Sequence, residues 1–135
     1  QGPRILGEYV LTVDDIKKQR LFEDCVAFGG AGIDTVNHNV DHWIEPYQVP
    51  LRSLVASGID NLFIVGRCAS ADFYAGSSLR VMTTCCLLGQ AAGTAAANAL
   101  KRGVTIRDID PAEIREALYR GADHPELMRE RMEAL

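Results

Sequence analysis

The residues with the clearest chemical potential lie between Leu62 and Ala97. Leu62-Phe63-Ile64-Val65 deliver the chain to Gly66, and after a run of small and polar residues Ser77-Ser78-Leu79-Arg80-Val81-Met82 open a helical stretch. A helix N-terminus presents unpaired backbone N–H groups and the positive end of the helix dipole, which suits an anion or an electron-rich carbonyl. Arg80 adds a fixed charge and a planar fork of donors. An ordinary strand–loop–helix with a surface arginine carries the same pattern, so residue types alone leave both readings open. His38 and His42, with Asp41 between them, have a spacing that suits two metal ligands on a helix face. Asn37, Asn39 and Pro46 argue against a helix there and no third ligand is apparent, so a solvated loop is expected. Cys25, Cys68, Cys85 and Cys86 form neither a CxxC pair nor a zinc spacing. Cys85-Cys86 would close only a strained ring and reads as two buried small residues. Cys68, beside Arg67, is a candidate reactive thiol whose plainer reading is packing.

Several elements must position these groups. A strand is expected over 4–11, with Gly7 as an irregularity. Thr12 with Asp15 resembles a capping box and predicts a short polar helix over 13–20. A second strand is expected over 22–28, closed by Gly29-Gly30, followed by an irregular segment over 33–50 with room for one short strand. The apolar run over 62–65 reads as a buried strand of a parallel or mixed sheet, and 67–78 as a loop. One long Ala-rich helix is expected over 79–102 with Gly103 as its C-cap. Asp110-Pro111 starts another helix to about Arg120, and 125–135 reads as a last exposed helix. Its charges read as a solvated face, and Leu127, Met128, Met132 and Leu135 as an apolar stripe that suits a partner. Tyr9, Trp43, Tyr47 and Tyr74 read as core or rim aromatics.

The chain has 135 residues, 47% of them hydrophobic and 24% charged, which is a globular balance and argues against disorder. Fourteen basic and 18 acidic residues give a net charge of −4, and with no basic run the chain is a poor nucleic-acid ligand. The longest apolar stretch, around 85–100, is Ala- and Gly-rich and falls short of the ~20 residues of a membrane span. No signal peptide is visible and four cysteines make no disulfide scaffold, so a cytoplasmic setting is expected. The start Gln1-Gly2-Pro3, without an initiator Met, points to a piece of a longer or processed chain.

Three blocks together are recognisable: 61–70 (Asn61-Leu62 through Gly66-Arg67-Cys68-Ala69-Ser70), 76–82 (Gly76 to Met82) and 89–96 (Gly89-Gln90-Ala91-Ala92-Gly93 onward). They resemble the carboxy-terminal part of the FAD-dependent oxidoreductase family, flavoproteins related to glutathione reductase and succinate dehydrogenase. Gly7-Glu8-Tyr9 with Asp14-Asp15, and Tyr47 to Pro50 with Arg52, are similar to the same family, so the resemblance spans most of 4–103. It implies that Gly66, Arg67 and Ser70 lie near the ribityl and pyrophosphate part of FAD. It also implies that Ser78, Arg80, Val81 and Met82 face the pyrimidine edge of the flavin, where reduction builds charge that preorganised amides stabilise. Gly89 and Gly93 would let the long helix pack closely on the sheet. The segment around His38 and His42 would lie toward the substrate.

Three departures qualify it. Arg67 stands where the glutathione-reductase group has Asp, which favours a phosphate contact over a ribityl one. A His common near Phe73 and a Pro common at Thr83 are both absent. No GxGxxG fingerprint is present, and Gly29-Gly30-Ala31-Gly32 neither follows a clean strand nor opens a helix.

The expected fold class is therefore α/β, or mixed α+β as an isolated fragment. Residues 1–58 would form part of a β-rich substrate or cap region. Residues 59–103 would be the last strand–loop–helix of an FAD/NAD(P)-binding fold, and 104–135 a helical tail. The expected function is that of a carboxy-terminal fragment of an FAD-dependent oxidoreductase acting on a small organic substrate. Such a fragment should bind FAD weakly or not at all without the amino-terminal FAD-binding half, and should self-associate through unpaired edges. The alternatives are a non-catalytic oligomerisation module that keeps the fold, and a Cys68-dependent activity without flavin.

Overall fold

A computed structural model describes residues 5–33 and 44–133. Among the described residues the amino-terminal arm makes two isolated bridges, Gly7 with Ala56 and Leu11 with Ala71, and no ladder, where a strand is expected over 4–11. Helix α1, Val13–Lys17, carries the capping box anticipated from Thr12 and Asp15. The Asp15 backbone N–H donates to Thr12 Oγ1 at 3.2 Å, and Asp15 Oδ2 accepts from the Thr12 N–H at 2.9 Å. The helix stops at Lys17, short of the expected 20, because Gln19 takes a positive φ of 48°.

Strands β1, Cys25–Gly29, and β2, Tyr47–Pro50, form one antiparallel pair, with Ala27 opposite Val49 and Phe28 opposite Gln48. The register shifts between Cys25 and Ala27. Gly29 faces Tyr47 so closely that a Cβ there would lie 2.5 Å from the phenol ring. Consecutive residues Cys25, Val26 and Ala27 are all buried, so both faces of β1 are covered. Helices α3 (Met82–Arg102), α4 (Pro111–Arg120) and α5 (Pro125–Glu133) all pack against β1, and α5 also meets β2. The open edge of β1 is blunted by Arg115, whose Nη1 donates to the carbonyls of Glu23 (3.1 Å) and Cys25 (3.0 Å). The Gln48 side chain is buried and bonded at both its oxygen and its nitrogen. Its Oε1 accepts from the Phe22 N–H and its Nε2 donates to the Met132 carbonyl, both at 2.8 Å. Met132 is buried as a result, so α5 is docked rather than wholly exposed.

The run 62–65 is not a strand of a parallel sheet. Among the described residues its ladder contact is a single antiparallel bridge between Val55 and Phe63, since no parallel neighbour lies beside it. The architecture is thus mixed α and β, with far more helix than strand and one two-stranded sheet among the described residues. The segment 67–78 is not a plain loop either. A 3₁₀ turn, Gly66–Cys68, precedes helix α2, Phe73–Leu79, and Arg80-Val81 separates α2 from α3. What reads as one helix from Leu79 is therefore two, because Val81 is extended (φ −68°, ψ 140°). Gly103 closes α3 at φ 65°, and the Asp110 side chain accepts from the Ala112 N–H to cap α4, both as expected.

Asp15 supplies a pH test. Burial works to raise its pKa, but hydrogen bonds from the Thr12 N–H and hydroxyl, the Tyr9 hydroxyl and Arg20 outweigh it and hold the carboxyl below its ordinary value. A folded pKa below the unfolded one adds stability that is complete above about pH 4 and is lost as pH falls through the folded pKa. Asp15→Asn should therefore flatten the loss of stability below about pH 4, read as chemical-denaturation midpoints against pH.

Candidate functional site

The turn at Gly58 (φ 71°) and Asn61 (φ 57°) reverses the chain ahead of the site. Two backbone bonds then fix the approach: Ala56 N–H to Leu62 O at 3.0 Å and Ile64 N–H to Leu54 O at 2.7 Å. Gly66 takes φ 63°, a conformation that side chains disfavour. The 3₁₀ turn that it starts packs on α3, where a Cβ on Gly66 would lie 3.9 Å from Cys85 Cβ and Sγ. Arg67 sits on this turn against α3; burial raises the Cys85 thiol, and the Arg67 guanidinium pulls the other way.

That first turn is open. The first backbone bond of α3 is Cys85 N–H to Val81 O at 2.9 Å, so the N–H groups of Met82, Thr83 and Thr84 precede it. Val81 offers no side-chain cap and the first turn has no acidic residue. By contrast α1, α2 and α4 are capped by Thr12, Asp72 and Asp110. Val81 and Met82 are 38% and 79% exposed. Arg67 is exposed, and Arg80 is half-buried as the C-cap of α2. The structure thus brings Gly66, Arg67, Arg80, Val81 and Met82 to one end of α3. The Arg67 guanidinium and a helix start that Val81 leaves uncapped suit an electron-rich group.

Ser70 and Ser78 lie deeper. Ser70 is buried where a Cβ on Gly7 would come within 2.7 Å of its own Cβ, and its backbone bonds to Leu11 and Ser53. Ser78 is fully buried and its hydroxyl donates to the Ala31 carbonyl. Its single proton being used there, the Tyr47 hydroxyl is the donor in the 2.8 Å contact with Ser78 Oγ. Burial pushes Tyr47 up to about 12. This network ties β2, α2 and the chain after β1 together.

Other expectations resolve differently. His38, Asp41, His42 and Trp43 lie outside the described residues. Among the described residues no cluster of three His, Cys, Asp or Glu could hold a metal ion. Cys85 is half-buried but Cys86 is exposed, because it sits on the outer face of α3, and Cys68 is exposed on the 3₁₀ turn rather than packed. Gly89 and Gly93 do not meet the sheet. A Cβ on either would touch nothing within 4 Å, since α3 turns Thr84, Leu88, Ala91, Ala92, Ala95 and Ala99 inward instead. Tyr47 is core, Tyr9 half-buried and Tyr74 exposed.

Sequence reasoning missed Asp72. Its Oδ1 accepts from the Ala75 N–H at 2.7 Å to cap α2, and its Oδ2 accepts from the Val13 N–H at 2.8 Å. An Asp three residues ahead of the bonded N–H was a visible signal, hidden by the small residues that follow.

A family model described as FAD dependent oxidoreductase matches residues 1–118. No curated protein and no solved structure matches the chain.

The buried hydroxyl network gives a stability prediction. Ser78→Ala should cost about 1–3 kcal/mol by leaving the Tyr47 hydroxyl and Ala31 carbonyl unsatisfied. Adding Tyr47→Phe should then cost less than Tyr47→Phe does alone, because the two hydroxyls share one bond. Urea denaturation of the four proteins checks this.

Proposed function

We propose, for a chain that belongs to the FAD-dependent oxidoreductase family, that it forms the flavin-facing end of an oxidoreductase acting on a small organic substrate. The observation that carries this reading is the start of α3, which Val81 leaves without a side-chain cap among the described residues, with Val81 and Met82 exposed and Gly66 folded against its first turn.

These residues fit FAD. Gly66 gives backbone room, Arg67 offers charge to a phosphate, and the α3 N–H groups suit the carbonyl-rich edge of a flavin. Bound FAD would supply the two-electron acceptor for substrate oxidation. The chain's own part is electrostatic. The fixed N–H dipoles and the guanidinium of Arg80 favour negative charge at that edge and need no reorganisation to do so. Ser70 and Ser78 support this surface from behind, through the contacts that hold α2 and the 3₁₀ turn in place. The face of α3 bearing Met82, Cys86, Gly89, Gly93, Ala97 and Leu100 is exposed, and 82–100 contains no charged residue. In this reading the remaining FAD-binding half of the flavoprotein covers it, and a chain lacking that cover self-associates in light scattering.

The test is the visible spectrum of the protein purified from the whole reading frame that holds this segment. A flavin spectrum is expected; a colourless protein unchanged by added FAD would leave a non-catalytic oligomerisation module. In the flavin-bound protein Met82→Glu should lower the midpoint potential, on the order of 30 mV for each tenfold loss of preference for the reduced form. The same change should leave the melting temperature level or higher, since an acidic residue at N1 favours the helix itself.

A further inference from the structure

Three surface grooves among those lined by described residues differ in how their charges are settled. In the first, Arg20 and Arg52 are already paired with Asp15 and Asp24. In the second, Arg102 and Arg120 are paired with Glu113 and Glu116. The third, about 370 Å³, lies between α5 and β1 and is lined by Phe28, Ala122, His124, Leu127, Met128 and Arg131. Among the described residues no carboxylate lines it. Arg131 is half-buried there and, among the described residues, makes no ion pair or hydrogen bond. The neighbouring Arg129, by contrast, bonds Glu116 at 2.9 Å and lies over the Tyr119 ring.

We propose that this groove binds a small carboxylate with an apolar body, such as a medium-chain fatty acid. An arginine on a half-buried position with no counter-charge among the described residues is a ready partner for an added anion. A carboxylate supplies that charge, with the bidentate geometry that Arg favours. The floor of Phe28, Leu127 and Met128 supplies apolar contact, and the unbranched thioether of Met128 adapts to differing chains. His124 stands at the rim, 3.5 Å from Glu126, and is not needed for the pairing. The volume suits one small molecule. Residues 119–135, which contribute five of the six lining side chains, lie beyond the family match over 1–118, so the site is independent of the flavin reading.

The probe is octanoate, kept below its micellar concentration, titrated into the full chain and followed by amide NMR shifts and calorimetry. Saturable binding is expected, with shifts confined to Phe28 and residues 122–131. Uncharged octanol should bind about tenfold more weakly, and Arg131→Gln should remove that preference while the circular dichroism stays unchanged. Leu127→Glu, at an exposed position that the fold does not need, should weaken octanoate as well. Equal affinity for octanol and octanoate, no saturation, or unchanged octanoate binding by Arg131→Gln would each overturn the proposal.

Discussion

One carboxylate joins the starts of α1 and α2 and sets where α2 begins. Asp72 caps α2 through the Ala75 N–H and, with its other oxygen, accepts from the Val13 N–H at the start of α1, 59 residues away in sequence. The backbone reinforces it on both sides: Leu11 N–H donates to Ser70 O at 3.0 Å, and Asp72 N–H donates to Leu11 O at 2.8 Å. Two helix starts therefore share one side chain, each with orphan donors that need an acceptor. An uncharged replacement could satisfy one of them, but the ionised carboxylate accepts at both oxygens and favours both helix dipoles. The direction in which α2 leaves the 3₁₀ turn is fixed by this contact, and with it the point where Arg80-Val81 releases the chain into α3.

The start of α3 is the counterpart. A missing side-chain cap typically costs about 1 kcal/mol. Over the 21 residues of α3 that cost is offset elsewhere, since Ala is the strongest helix former and six of the residues are buried along one side. Small side chains on that side let the backbone of α3 approach β1, and Leu88 fills the space that remains. A long, well-packed helix tolerates an open end in a way that the five-residue α1, with its full capping box, does not. Length and packing therefore release the α3 terminus from structural duty.

How much was legible in the sequence follows the range of the forces involved. The Thr12–Asp15 box, the Gly103 C-cap and the Asp110-Pro111 start depend on neighbours within a few residues, and each is where the residue types put it. The family was legible too, since its motifs are contiguous blocks. The long-range terms were not. The apolar run over 62–65 reads as a strand of a parallel or mixed sheet, but no composition states whether a neighbour exists, and among the described residues it forms one antiparallel bridge. The break at Arg80-Val81 went unseen because neither residue is a helix breaker by type; it is imposed by the Asp72 anchor at one end and by the packing of α3 on β1 at the other. The inward burial of Ser70 and Ser78 was hidden for the same reason, because their covers, Gly7 and the pair Tyr47 and Ala31, are remote in sequence.

Glycine shows how the same residue type divides between backbone shape and open surface. Gly66 is needed for its left-handed φ, and Gly29 because Tyr47 leaves no room for a Cβ. Gly89 and Gly93 meet neither demand: they sit within a regular helix, each costing about 1 kcal/mol relative to Ala, with open space where a side chain would go. Nothing within the described residues offsets that cost. A close approach by another backbone would, because only a residue without a Cβ lets two main chains come together there. The helix thus turns Ala91 and Ala95 toward β1 and Gly89 and Gly93 away from it, and the described structure fills the space beside only the first pair.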